Sequence, residues 1–204
     1  MKKAVAIIAA LIIAASILAG CSPNTPTIAK VGLGHVTSAA KSKELVVNED
    51  GTKTAPAGQV DTVIAAVAFD KDGKVMKVTI DTAQTNVNFD ENLQVKSDLA
   101  AHGETKVELG RGYGLSRIST VGKDWHEQIA ELEKWMIGKT VIEIKGLKVK
   151  ERDATHKAVP DVPELTSSVT ITVEDYVKAV EEAYKNAFEV PNGAVSLGLG
   201  HEVS

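Results

Sequence analysis

The sequence contains one cysteine, Cys21, and few aromatic residues, which make up 4% of its 204 positions. A lone cysteine excludes internal disulfide bonds and zinc sites that need several thiolates. Basic residues are not in excess, since 23 lysines and arginines stand against 27 acidic residues. Because its net charge is −4, the protein does not attract the negatively charged backbone of a nucleic acid. We therefore predict no nucleic-acid partner.

Familiar catalytic patterns are missing as well. The five histidines are scattered without the spacing of metal ligands, and a Gly-x-Ser-x-Gly nucleophile motif is absent. We therefore predict no catalytic residues and no metal site, and leave open whether the protein is an enzyme. The composition that is present, 44% hydrophobic and 25% charged, is typical of a folded chain with one or at most two domains.

The N-terminal residues have the composition of an export signal. Lys2 and Lys3 give a positive start, and residues 4–17 carry no charge. This stretch is too short to span a bilayer comfortably, and it has the form of a secretory signal peptide. We predict that residues 1–20 are the signal peptide.

The segment Leu18-Ala19-Gly20-Cys21 resembles the lipobox of bacterial lipoproteins, in which the chain is cut before the cysteine and the thiol receives a diacylglycerol. The resemblance implies that lipidated Cys21 anchors the protein on the extracytoplasmic face of the cell membrane. Polar, proline-bearing residues 21–27 then form a tether. The alternative is an ordinary cleaved signal followed by a chance cysteine.

Hydrophobic patterning predicts strands in the first half of the mature chain. Residues 28–38 form a strand whose two glycines, Gly32 and Gly34, indicate a bulge or the close approach of another backbone. Residues 60–69 are almost wholly apolar, as in a strand covered on both faces. The turn at residues 70–73 joins this strand to a return strand, in which apolar and polar residues alternate as far as Asp81. The polar segment 86–114 is predicted to be a connection with a short helix at residues 105–109.

Helices follow the strands. Residues 123–137 and 173–188 show the apolar stripe of amphipathic helices, and Thr172 with Asp175 resembles a capping box for the second. Strands early and helices late predict an α+β domain over residues 28–190, with an antiparallel sheet and helices packed on one face.

A short repeat ends the sequence. Residues 32–38 recur as residues 198–204 if Glu202 is skipped. We interpret residues 191–204 as a linker and the start of a second domain of the same kind, so that the chain is truncated. The alternative is a terminal strand that pairs with the edge of its own sheet.

Hydroxyl-bearing residues are concentrated at positions 166–172, directly before the second predicted helix. Hydroxyls next to the free backbone N–H groups of a helix start can bind a phosphate, although such clusters are more often caps and turns. The segment resembles the flavin-attachment motif of the FMN-binding domain family. The matching positions are Glu164 for the family's Asp, Ser167 for its Ser/Thr, Ser168 for its Gly, Val169 for its Ala, Thr170 for the acceptor hydroxyl, and Thr172 for the tail that follows.

The similarity extends over most of residues 28–187. It includes the hairpin at residues 69–74, Gln84, Glu108-Leu109-Gly110, Tyr113-Gly114 and Gly122-Lys123-Asp124-Trp125. It implies an FMN-binding-domain-like fold and FMN joined to Thr170 through a phosphoester by a flavin transferase. Tyr113 and Trp125 are then candidates to cover the flavin ring, and Arg111 or Arg117 to balance the phosphate charge.

The implied function is electron transfer from a membrane redox donor to an external acceptor. Three outcomes stay open, because Glu164, Ser168 and Val169 differ from the family's Asp, Gly and Ala. FMN is held covalently at Thr170, it is held without a covalent bond, or the chain is a flavin-free binding or structural module that retains the fold.

Overall fold

The computed structural model describes residues 27–101, 103–191 and 196–200. Its main elements are an antiparallel sheet and the helices that pack against it. The sheet has four strands in the order β5-β4-β1-β8, each antiparallel to its neighbour. Its strands are β1 (Lys30–Ser38), β4 (Ala57–Phe69), β5 (Val75–Asn88) and β8 (Phe188–Glu189). Two short ribbons lie outside it, formed by β2 (Val46–Val47) with β3 (Lys53–Thr54) and by β6 (Val149–Lys150) with β7 (Val159–Pro160).

The helices are short and alternate with these strands along the sequence. They are α1 (Lys106–Leu109), α2 (Trp125–Met136), α3 (Val141–Lys145) and α4 (Glu174–Lys185), with 3-10 turns at Gly110–Tyr113 and Leu115–Arg117. The predicted α+β organisation with an antiparallel sheet is therefore confirmed.

The predicted hairpin of β4 and β5 is present. Its turn is fixed by Asp70, whose Oδ1 accepts from the backbone N–H groups of Asp72 and Lys74, both at 2.9 Å. Gly73 supplies the positive φ of 75° that this turn requires. The predicted end of the return strand is wrong, because β5 continues to Asn88, which pairs with Ala57 at the start of β4.

The core lies between one face of the sheet and the two long helices. Val63, Ala65, Val67 and Phe69 alternate along β4 and belong to one buried cluster with residues of α2 and α4. Helix α4 contacts β1 and β4, while α2 contacts β5. Both helices therefore pack on the same face.

The predicted cap of the last helix is wrong. The residue that precedes α4 is Val173, with φ −109° and ψ −1°, and it makes no side-chain capping bond. Thr172 lies one position before this N-cap residue and two before Glu174, the first residue of the helix, so it is too early to cap the helix. The helix also ends at Lys185, so Phe188 lies in β8 instead.

Several predictions fall partly or wholly outside the described residues. These are the signal peptide, Cys21, the tether apart from its last residue, and the final four residues of the repeat. Residues 196–200 belong to no helix or strand, so the described part of the repeat shows no pairing with the sheet. No helix within the described ranges is both long and apolar enough to cross a membrane.

Candidate functional site

A cavity of about 390 Å³ lies beside the ends of β1 and α4, and we call it the Tyr113 pocket. This volume is within the usual range of sites for small molecules and cofactors, roughly 300–1,000 Å³. Its lining comes from nearly every part of the fold: Ser38, Ala40, Lys41, Asp61, Val63, Thr82, Lys106, Tyr113, Leu115, Trp125, Thr155, His156, Ile171, Thr172, Asp175 and Tyr176.

Aromatic side chains form one wall of the pocket. The rings of Trp125 and Tyr176 meet edge to face, with centroids 5.9 Å apart, and Trp125 Nε1 donates to Tyr176 Oη at 2.9 Å. Both residues are buried, and burial raises the pKa of Tyr176. Tyr113 is partly buried, and burial also raises its pKa. All three residues line the pocket, and the bond between Trp125 and Tyr176 fixes the polar ends of those two side chains.

The ammonium of Lys106 lies against two of these rings. Its Nζ is 5.0 Å from the centre of the Tyr113 ring and 5.6 Å from that of Trp125, distances typical of cation–π contacts. The residue is 5% exposed. Burial, and then repulsion from Lys41, lower the pKa of Lys106 to about 8.

Helix α1 holds Lys106 in place through Asp81 of the edge strand β5. Asp81 Oδ2 accepts from Thr105 Oγ1 at 2.8 Å, and Oδ1 accepts from the backbone N–H of Val107 at 3.1 Å. Thr105 and Glu108 also form a reciprocal capping box. Lys106 therefore sits between two residues that are anchored to the sheet.

An ion pair between Lys41 and Asp61 also lies in the pocket wall. Lys41 Nζ is 2.6 Å from Asp61 Oδ2, and Gln59 Nε2 donates to Asp61 Oδ1 at 3.0 Å. Burial opposes ionisation of Asp61, but the bonds from Lys41 and Gln59 outweigh it and hold its pKa below the ordinary value. Asp61 therefore already has its charge partner.

Two hydroxyls in the pocket wall make no hydrogen bond of good geometry within the described residues. Thr172 Oγ1 and Thr82 Oγ1 are both buried, although the Thr82 hydroxyl lies close enough to Tyr176 to influence its ionisation. Buried polar atoms are nearly always paired, so these two hydroxyls are exceptions among the described residues.

Thr170 lies next to the pocket and does not line it. Its backbone N–H donates to Gln128 Oε1 at 2.8 Å, and its hydroxyl donates to the same oxygen at 3.3 Å. Ser119 Oγ is 3.5 Å from that hydroxyl, and Arg152 Nη1 donates to the Thr170 carbonyl at 2.8 Å. The next residue, Ile171, does line the pocket. The Thr170 hydroxyl, predicted as the acceptor, therefore belongs to a residue adjacent in sequence to one that lines the cavity.

The other residues of the predicted motif are not brought into the pocket. Glu164 and Ser167 are exposed, and Ser168 Oγ donates to the Leu165 carbonyl at 3.3 Å. Val169 is fully buried in the core. Ser168 and Val169 therefore leave the cavity open.

Two groups were predicted to bind a phosphate, the arginines Arg111 and Arg117 and the start of the last helix, and neither is arranged to do so at the pocket. Arg111 and Arg117 are exposed and do not line the cavity. The first turn of α4 carries Glu174 and Asp175, and these acidic residues disfavour a phosphate at that helix start. In the described part of the chain, the arginine that contacts the Thr170 segment is Arg152. No group of three or more potential metal-binding side chains occurs within the described ranges.

The chain is similar to part of a chlorophenol reductase. It is 35% identical over 104 residues to that protein of Desulfitobacterium hafniense, and the match covers 46% of this chain. The matched region is 32% of the relative, so the chain spans about a third of that protein's length. No family model matches the chain, and no solved structure does.

Sequence reasoning missed Lys106, Asp61 and His156 as pocket residues. Lys106 lies in the polar segment 86–114, where a lysine ordinarily faces solvent. A signal was available in the pattern Thr105-x-x-Glu108, which predicts a capped helix. That pattern places α1 but does not reveal that Asp81 docks it over the aromatic wall.

Proposed function

We propose that the chain is an FMN-binding electron-transfer module with an FMN-binding-domain-like fold, whose flavin ring occupies the Tyr113 pocket. The observation that carries this proposal is a cavity lined by Tyr113 and Trp125 whose wall includes Ile171 and Thr172, directly beside Thr170. Bound FMN supplies reversible uptake of electrons, a chemistry that the side chains themselves lack.

The residues of the pocket suit such a ring. Tyr113 and Trp125 offer flat cover, while Thr172 and Lys106 offer donors for its polar edge. Thr170 offers the hydroxyl for a phosphoester, and Gln128 holds the backbone of that residue. These side chains bind, orient and shield the group, and its redox chemistry is its own.

The similarity to a reductase supports a redox role. Reduction requires an electron source, and a flavin module is one means of supplying it. We propose that a flavin transferase loads the chain, that a membrane redox donor reduces it, and that an external acceptor oxidises it. Lipidated Cys21 would keep the module at the extracytoplasmic membrane surface.

The test is co-expression of the full chain with a flavin transferase, followed by denaturing electrophoresis and detection of flavin fluorescence. We expect a fluorescent band for the natural chain and for the matched control Ser167→Ala, whose site is exposed. Thr170→Ala should give no fluorescent band. Flavin that is present before denaturation but lost afterwards would indicate non-covalent binding.

A flavin-free binding or structural module is the second candidate. It is favoured by Glu164, which replaces the family's Asp with a longer side chain and lies exposed, outside the pocket lining. Absence of flavin from the natural chain, combined with no binding of added FMN, would overturn the flavin proposal and support this one.

The membrane anchor has its own test. Detergent phase separation should place the natural chain in the detergent-rich phase and Cys21→Ala in the aqueous phase. Partition of both into the aqueous phase would contradict lipidation at Cys21.

A further inference from the structure

Lys106 is the one lysine or arginine of the described ranges that is buried. No carboxylate of those ranges forms an ion pair with it, since none lies within 4.0 Å of its Nζ. The charges of Asp61 and Asp81 influence Lys106, but both carboxylates have closer partners: Asp61 binds Lys41, and Asp81 accepts from Thr105, Val107 and Thr82.

A buried ammonium without an ion pair is costly unless something else compensates its charge. The rings of Tyr113 and Trp125 compensate it in part, and attraction from the carboxylates of Asp61 and Asp81 offsets part of the cost of burial without forming an ion pair. Burial lowers the pKa of Lys106 to about 8, so the group still carries its proton at neutral pH. A ligand that brings carbonyl oxygens or negative charge to this corner of the pocket would complete the compensation.

We infer that Lys106 binds the carbonyl-bearing edge of a flavin ring in the Tyr113 pocket and thereby favours the reduced, more negatively charged form of that ring. This inference rests on the proposed function and adds the residue that would set the relative affinity for the two redox forms. The aromatic contacts place the ammonium beside the flat wall, where a ring edge would lie.

The phosphate of FMN is the other anionic group that Lys106 could meet. Riboflavin separates the two sources, because it has the same ring without the phosphate. Contact with the ring edge affects riboflavin and FMN alike, whereas contact with the phosphate affects FMN alone.

The experiment measures the dissociation constants of oxidised and reduced riboflavin and FMN by quenching of Trp125 fluorescence. The protein carries Trp135→Phe, which leaves Trp125 as the single tryptophan, and Thr170→Ala, which prevents attachment. Sodium dithionite under anaerobic conditions supplies the electrons for the reduced ligands. Lys106→Met is compared with Lys106→Arg, which retains the charge.

Lys123→Met is the matched control, because Lys123 pairs with Glu131 at 2.9 Å and does not line the pocket. Far-ultraviolet circular dichroism confirms that each variant is folded.

We expect Lys106→Met to weaken binding of the reduced form about tenfold more than binding of the oxidised form, for both ligands. For a two-electron couple, that ratio lowers the midpoint potential by about 30 mV. Lys106→Arg should retain most of the preference, and Lys123→Met all of it.

Three results would overturn the inference. An unchanged ratio of the dissociation constants for oxidised and reduced ligand in folded Lys106→Met would show that Lys106 does not contact the ring. A loss confined to FMN would assign it to the phosphate. Failure of the parent protein, before any Lys106 substitution, to bind either ligand in either form would overturn the proposed function together with the inference.

Discussion

Gly34 of β1 lies against Ala179 of α4 so closely that a Cβ atom on Gly34 would stand 2.0 Å from the Ala179 carbonyl oxygen. Gly32 repeats this relationship with Ala183, at 1.9 Å. Side chains never approach a backbone oxygen this closely, so α4 can rest on β1 only where the strand has glycine. The same contact positions the helix whose first turns carry Asp175 and Tyr176 to the Tyr113 pocket.

Gly34→Ala should therefore destabilise the fold. Overpacking of this kind typically costs about 1–3 kcal/mol, and the rigid helix backbone places this case at about 3 kcal/mol or more. Urea unfolding measures the loss. Gly58→Ala in β4 is the control, because its Cβ would meet Val87 at an ordinary 3.9 Å. Equal stability of the two variants would show that α4 does not approach β1 this closely.

The two glycines also show how far the sequence can predict this structure. Two glycines inside a predicted strand indicated either a bulge or the close approach of another backbone, and the structure shows the close approach. The stripe at residues 123–137 indicated α2. Such patterns are local and periodic, so they appear in the sequence directly.

The pocket depends instead on long-range placement. Lys106 reaches the aromatic wall because Asp81, 25 positions earlier in the chain, binds Thr105 and Val107. Thr172 matched a capping pattern, but the structure starts α4 two residues later, at Glu174, and leaves that hydroxyl unpaired. A pattern of caps and turns cannot distinguish these outcomes, because tertiary contacts decide them.

Tyr176→Phe tests the aromatic wall. The substitution removes Oη and leaves the buried Trp125 Nε1–H without its acceptor, which should lower the free energy of unfolding by about 1–2 kcal/mol. Chemical unfolding with near-ultraviolet circular dichroism follows both the stability and the Trp125 environment. Tyr184→Phe is the control, since Tyr184 is 46% exposed. A loss no larger than that of the control would mean that the Trp125–Tyr176 bond contributes little.

Glu133→Gln should remove a pH dependence of stability. Glu133 Oε1 accepts from the Ile80 N–H of the edge strand at 2.6 Å, and burial raises the pKa of Glu133 from 4.5 to about 7. Between these values the folded protein retains a proton that the unfolded chain has released. The free energy of unfolding therefore falls as pH rises through this interval, by at most about 3 kcal/mol, and this contribution is constant above it.

The glutamine amide can still accept from Ile80 without ionising. Urea unfolding at several pH values should accordingly show that the stability of Glu133→Gln, relative to the natural chain, increases from pH 4.5 to 7. Glu91→Gln, at an exposed position, controls for general charge effects. A pH-independent difference between Glu133→Gln and the natural chain would contradict the raised pKa.

Gln128→Met should loosen the segment that brings Thr170 to the pocket. Gln128 is fully buried, and its Nε2 donates to Ser119 Oγ and to the Lys123 carbonyl, which leaves Oε1 as the acceptor for Thr170. Methionine fills a similar volume but accepts hydrogen bonds only weakly, so the Thr170 N–H loses its partner at a cost of about 1–3 kcal/mol. Hydrogen exchange at the Thr170 amide should accelerate about fivefold to 150-fold, since each factor of ten represents 1.4 kcal/mol. Gln94→Met, on the exposed surface, should leave that amide unchanged. Unaltered protection of Thr170 in folded Gln128→Met would show that Arg152 and the surrounding turn hold Thr170 without the buried amide.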